Sequence, residues 1–488
     1  MDICGAFSNG NLDQPEYMES PREFAIILRS IMPKLAAMHL KSSLILMIIK
    51  SIYGMVQAAH AWQKTFSESI NAFEHCGVAM RQSRVDPCIY FWRHGGDIMI
   101  VGNHVDDQIQ LTNNMTVLDA FVKFLPFESQ DYQNIDVFLG RKFVQNLANG
   151  TVTLSQRAAI KRFVTEEGIT RTKPIPYPST KIYERKTADE HEPSDELRRK
   201  FLSTLGKAIY LSTGCCPQLV FSVSKFAQLA INPTEHQHAE LKKYVGGYLK
   251  HLLDGNDFDG IKFSKHAVYS GDPMHDPAVW PNGKIKKGCS VKDFGMHICV
   301  DANFIEKCQP DGKMLSRGGI VVKMCGGPIY CRSRMQSIHA FNTQQSEYME
   351  LAEACRRGKI YLNLFEEIGM YDASNDRPII FEDNTAAGIL ATTDVLNTKS
   401  KHIDLRFAIC KEYIQELKIF DLWYLPTRFQ LADINTKAVC EKVFRSIDPQ
   451  IRGLINVDLR KHGEHFSEYV RRLKAKKSAS KSRSAKIK

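Results

Sequence analysis

Four carboxylates stand at wide intervals in the second half of this 488-residue chain: Asp301, Glu347, Asp383 and Asp433. Carboxylate oxygens suit hard divalent cations such as Mg2+. Two such ions about 4 Å apart can activate a water and stabilise the leaving oxygen of a phosphodiester. Any one of these acids, taken alone, reads first as a solvated surface charge. Brought together they are costly without a cation, because two carboxylates about 4 Å apart repel by roughly 4 kcal/mol at an effective dielectric near 20. The question is therefore whether the surrounding elements bring them to one place.

Residues 296–301 form a strand pattern, 318–324 a second and 328–332 a third across the Gly326-Gly327 turn. A helix is predicted from the N-cap residues Asn342-Thr343 through Glu347, Leu351 and Cys355 to about Ile368. A strand at 378–381, a helix at 402–417, a strand at 420–425 and a last helix from near Gln430 follow. The order β-β-β-α-β-α-β-α is that of the RNase H fold, a mixed sheet with helices packed on it. In that fold Asp301 on the first strand, Glu347 early in the first helix, Asp383 at the end of the fourth strand and Asp433 near the start of the last helix meet at one site.

The bulk numbers set the frame. The length calls for two or three domains, and a hydrophobic content of 43% is that of a globular protein. A formal net charge of +11, from 65 Lys+Arg against 54 Asp+Glu, favours a polyanionic partner, nucleic acid above all. The start lacks a basic segment followed by an apolar stretch, so a secretory signal is not expected. The apolar run 44–49 is too short for a membrane span. Thirteen Cys without a close C-x-x-C pair read as reduced intracellular thiols, cytoplasmic or nuclear, with Cys215-Cys216 as small buried side chains. The expected organisation is an α+β or α/β multidomain chain. Residues 1–146 come first, with a hairpin across Gly95-Gly96, then a mostly helical segment at 147–253. An irregular connector at 254–293, the mixed-sheet domain at 294–450 and a C-terminal segment at 451–488 complete it.

The strings ICVDANF, GGPIYCRSRMQS, NTQQSEYMELAEA, FEDNTAAGILA, TKSKHIDLRFAICKE and YLPTRFQLADINTK resemble, in order, the RNase H motifs of copia-type LTR retrotransposons. The resemblance covers about 296–442 and places that family's active-site acids on Asp301, Glu347, Asp383 and Asp433. Asn303 and Phe304 stand where the family commonly has Asp and Trp. His402 has two readings, a substrate or product contact and a structural helix-start histidine. The segment LGKAIYLSTGCCPQLVFSVSKFAQLAINPTEHQHAELKKYVGGYLKHL resembles the family's connection between polymerase and RNase H. Cys216-Pro217-Gln218 there replaces the usual Arg-Pro-Asp.

Residues 1–146 are similar to a reverse-transcriptase palm, an antiparallel sheet with helices. MDICGAFSNGNLDQPEYMESPREF resembles the first palm motif, SIYGMVQAAHAW the next, and HVDD at 104–107 the Tyr-x-Asp-Asp box. The resemblance implies Asp2, Asp106 and, less directly, Asp107 as polymerase metal ligands. It implies Phe7 under the incoming sugar and Gln57 as a nucleotide contact. Each active site would take two Mg2+ or Mn2+ ions. The implied partners are an RNA template, DNA, the RNA–DNA hybrid and dNTP, along with other element-encoded Pol or Gag proteins and no membrane, in the setting of DNA integration and transposition. His104 replaces Tyr, and Ala59-His60 stand where Pro-Arg is typical. The family has about a hundred residues before its first palm motif, which supply the fingers. On this ground a truncated palm that extends primers poorly is expected, with RNase H the surviving activity. The alternative is a catalytically silent transposon relic that only binds nucleic acid. Residues 471–488, dense in Lys, Arg and Ser, read as a disordered basic tail, either a nucleic-acid arm or a solubilising or nuclear-import segment.

Overall fold

The computed structural model describes residues 1–21, 23–34, 45–130, 136–178, 180–183, 192–255, 260–265, 295–306, 315–371, 377–393, 408–473 and 475. His402, residues 474 and 476–488 of the basic tail, and 256–259 and 266–294 of the expected connector lie outside them. The chain forms two compact units, 1–135 and, among the described residues, 136–265 with 295–475.

In the first unit, β1 (Asp2–Ile3) lies in a six-stranded sheet beside the hairpin of β2 (Asp97–His104) and β3 (Asp107–Thr112). Strand Ile89–His94 extends the sheet past β2, so the hairpin read across Gly95-Gly96 is present. Every ladder in this sheet is antiparallel. One core holds it, formed by Trp62, Phe66 and Ile70 of helix Ala58–Asn71 with Tyr90, Trp92, Met99, Val101 and Phe121.

The second unit is built on another six-stranded sheet. Its members are β4 (His297–Glu306), β5 (Leu315–Met324), β6 (Gly327–Met335), β7 (Ile379–Glu382), β8 (Asp421–Tyr424) and β9 (Glu464–His465), in the order β6-β5-β4-β7-β8-β9. β4, β7 and β8 run parallel, and the remaining ladders are antiparallel. Strands covered on both faces read as continuous apolar runs, and side chains alternate between the faces. Ile298, Val300, Ile320, Val322, Ile380 and Leu422 pack under helix α1 (Thr343–Glu367). Cys299, Val321 and Phe381 pack on the other face against Phe201, Leu205, Phe226 and Leu249 of the helical segment and Phe444 of α4 (Glu441–Ile451). The helical segment thus shares a core with the sheet. A further four-stranded sheet takes Gly260–Ser264, within the stretch read as an irregular connector, alongside Thr151–Ser155.

Three details differ from the expectation. Helix α2 (Thr385–Thr392) follows β7, although Gly388 weakens it as a sequence signal. Asn384 caps it by accepting from the N–H groups of Ala386 and Ala387, both at 3.0 Å. The expected helix from Gln430 is instead a turn at Thr427–Phe429, the short α3 (Asp433–Thr436) and then α4. The sheet also continues beyond residue 450: β9 pairs with β8, and fully buried Phe466 packs in the core under α1. Cys215 and Cys216 are both buried thiols. Among the described residues no helix is long and apolar enough to cross a membrane.

Candidate metal centre

The register of the parallel pair β4 and β7 sets the centre. His297 is opposite Ile379 and Cys299 opposite Phe381, so two residues further on Asp301, midway along β4, and Asp383, just past the carboxyl end of β7, come into step. Such strands lie about 4.8 Å apart. Glu347, in the second turn of α1, reaches the same point. Ligand atoms of Asp301, Glu347 and Asp383 all lie within 4.8 Å of one another, and no other described group of three or more His, Cys, Asp or Glu does so.

Two glycines make this approach workable. Gly318 and Gly319 of β5 face Ala302 and Asp301 across the ladder. A Cβ on Gly319 would lie 2.7 Å from Thr436 Cγ2 and 3.1 Å from the Ala432 carbonyl oxygen, so hydrogen at this position lets α3 lie against the strand. A Cβ on Gly318 would meet the Glu350 carboxylate, one turn beyond Glu347 on α1. Fully buried Gln430 donates to the Val300 carbonyl at 2.9 Å, and Asn435 to the Ile320 carbonyl at 3.2 Å. These bonds hold the turn before α3 against the sheet. They place Asp433 beside Asp301 but outside the tight three-acid group. The Thr436 hydroxyl donates to Asp301 Oδ2, and the Thr427 hydroxyl to Asp383 Oδ2 at 2.6 Å.

Three features were absent from the sequence reading. Glu382 is fully buried next to Asp383 and adds another carboxylate behind the group. Lys437 brings an ammonium 2.9 Å from Asp433 Oδ1 and 3.9 Å from Asp301 Oδ2. Arg332 donates to buried Glu350 and to Glu353, at 3.0 and 2.6 Å, anchoring α1 to β6. The Gly-Gly pair inside a strand pattern was the sequence signal for close packing. Glu382 and Lys437 carried none, because neither burial nor pairing is written in a local pattern.

The electrostatics follow from crowding. Burial, then the charges of Glu382, Asp301 and Asp383, push the Glu347 carboxyl well above its ordinary range. Burial, then Asp383, does the same to Glu382. Asp383 is raised by burial and then by Asp301. Asp433 is raised to about 7 by burial and then Asp301, against the opposing pull of Lys437. Glu347 Oε2 and Glu382 Oε2 are buried with no hydrogen-bond partner among the described residues. Buried oxygens of this kind, in a group that resists ionising, are the donor set a hard divalent cation takes.

In the first unit, Asp2 faces Asp107 across the β1–β3 ladder, and Ile3 N–H donates to the Asp106 carbonyl at 3.0 Å. Asp106 lies in the two-residue turn that closes β2 onto β3, where Val105 takes a left-handed φ of 60°. Trp62 Nε1 donates to the Val105 carbonyl at 2.7 Å and pins that turn. Asp107 is raised by burial and then by Asp106 and Asp2, so the three acids share one field. Phe7 packs edge-on against Tyr53 at 4.9 Å, and Gln57 donates to Glu16 at 3.2 Å.

Comparison with known proteins locates the chain. Residues 1–181 match the family described as reverse transcriptase (RNA-dependent DNA polymerase). Over 454 residues, 91% of this chain, it is 23% identical to the retrovirus-related Pol polyprotein from transposon TNT 1-94 of Nicotiana tabacum. The chain spans 30% of that relative's length.

Proposed function

We infer that this chain, which resembles the C-terminal part of a copia-type retrotransposon Pol polyprotein and carries a segment of the reverse-transcriptase family, cleaves the RNA strand of RNA–DNA hybrids at the Asp301 centre. The observation that carries this reading is the meeting of Asp301, Glu347 and Asp383 within 4.8 Å, from the middle of β4, the second turn of α1 and the end of β7. The strand order β6-β5-β4-β7-β8, with α1 covering one face, supports an RNase H-like domain.

Asp301, Glu347, Asp383 and Asp433 would hold two Mg2+ or Mn2+ ions. When bound, these ions supply an activated water and charge stabilisation at the scissile phosphate. The chain's own residues do the positioning. Thr436 and Thr427 fix the oxygens of Asp301 and Asp383. Gln430 and Asn435 fix the backbone of the turn that carries Asp433. The apolar packing of Ile298 and Val300 under α1, and of Cys299 on the opposite face, keeps the strand below Asp301 rigid and dry. In the first unit, Asp2, Asp106 and Asp107 are the ligands this reading assigns to nucleotidyl transfer, with Phe7 and Gln57 at the nucleotide.

The test is hydrolysis of an end-labelled RNA–DNA hybrid by the full chain. Cleavage of the RNA strand is expected with Mg2+ or Mn2+, and its loss with chelator, with Asp301→Asn and with Asp383→Asn. Cleavage that survives both substitutions sinks the assignment.

A further inference from the structure

The ammonium of Lys437 lies between Asp301 and Asp433, at 3.9 and 2.9 Å from their oxygens. Asp433 lies outside the group of Asp301, Glu347 and Asp383, so an ion on the side away from Glu347 would be held by these same two acids, Asp301 and Asp433. From this geometry we propose that Lys437 is a built-in competitor for one of the two divalent ions: it fills the gap between Asp301 and Asp433, and an ion enters there only as the lysine swings out. The proposal deepens the metal-site reading given above and rests on it.

Three observations support a movable cation rather than a fixed strut. Asp433 cannot follow the lysine, because α3 is clamped by the Asn435 and Thr436 side chains and by the close approach at Gly319. The Lys437 side chain, by contrast, is 39% exposed while the carboxylates it touches are 4% and 8% exposed. Its backbone N–H donates to the Asp433 carbonyl at 3.2 Å, so the flexible stem can turn toward solvent without disturbing α3. Asp433, the acid drawn to the lysine, is also the one that stands apart from the three-acid group. The site is thus split into a Glu347-side position formed by three carboxylates and an Asp433-side position already holding one positive charge. The first favours an ion outright. The second favours an ion only over an ammonium of the same sign.

The experiment titrates the full chain with Mn2+ alone, by calorimetry and by counting free Mn2+ with electron paramagnetic resonance. It compares the wild type with Lys437→Met, Lys437→Gln, Lys437→Arg and Asp301→Asn. The wild type is expected to bind, over the level left in Asp301→Asn, two ions with well-separated affinities. Lys437→Met and Lys437→Gln should tighten the weaker step by roughly tenfold or more, since a like charge a few ångströms away is removed. Lys437→Arg should keep that step weak, and Asp301→Asn should abolish the saturable binding at this centre while leaving any at Asp2, Asp106 and Asp107. In chelator, Lys437→Met should melt below the wild type and regain the difference when Mn2+ is added. An unchanged or weakened second step in both neutral variants, with the first step intact, overturns the competitor and leaves the metal site standing. Absence of any saturable Mn2+ binding that depends on Asp301 overturns the metal site, and the competitor with it.

Discussion

Replacing Asp433 by Asn should make the metal-free protein more stable, and more so as the pH rises. Asp433 is 6% exposed, and its carboxyl is raised from an ordinary 3.8 to about 7, by burial first and by Asp301 second. In the unfolded chain the group ionises near 3.8, so across the interval from about 4 to about 7 the folded state holds a proton that the unfolded state has lost. The stability associated with this group is therefore complete below pH 4, declines as pH rises through 7, and is flat above. At 1.36 kcal/mol per unit, the folded state has lost on the order of 1–2 kcal/mol by pH 5 and roughly 4 kcal/mol by pH 8.5. The Asn variant carries no such loss. The gain of Asp433→Asn over wild type should therefore be roughly 2–3 kcal/mol larger at pH 8.5 than at pH 5; titrating groups distant from Asp433 cancel in that difference, whereas Asp301 and Lys437, which interact with it, do not. The assay is urea unfolding of the full chain in chelator at the two pH values, following the transition of the second unit. Saturating Mg2+ should reverse the order at pH 8.5, because the ion binds the folded wild type through the carboxylate that the variant lacks. A stability difference between the two proteins that is the same at pH 5 and pH 8.5 would refute the reasoning.

Two further outcomes are expected. Gly319→Ala places a methyl 2.7 Å from Thr436 Cγ2 and should push α3 from the strand, costing about 1–3 kcal/mol and weakening Mn2+ binding; full affinity retained in a folded variant would show that α3 has no part in the site. Whatever primer extension this chain supports on an RNA template should disappear with Asp106→Asn, and extension that persists would separate the Asp2, Asp106 and Asp107 cluster from the chemistry.

The sequence alone was enough to mark β4 to β8, because apolar runs such as 298–300 and 320–322 are local signals that need no partner. It also marked Asp301, Glu347, Asp383 and Asp433, whose types and placement on those elements can be read before any packing is known. The tertiary structure decided the rest. The parallel register of β4 and β7, which puts Asp301 level with Asp383, joins residues about eighty positions apart, and no local pattern sets it. The late strand β9 is only two residues long and gains its place from β8 and from Phe466 in the core, so its propensity was too small to see. Residues 385–392 showed a glycine where a helix needs none, yet Asn384 caps the segment and Phe466 sits where a Gly388 side chain would have been. The burial of Glu382 and the bridging by Lys437 depend on which charges face one another across elements. That is a property of the folded arrangement, and it is what sets the ammonium of Lys437 between Asp301 and Asp433, beside the group of Asp301, Glu347 and Asp383.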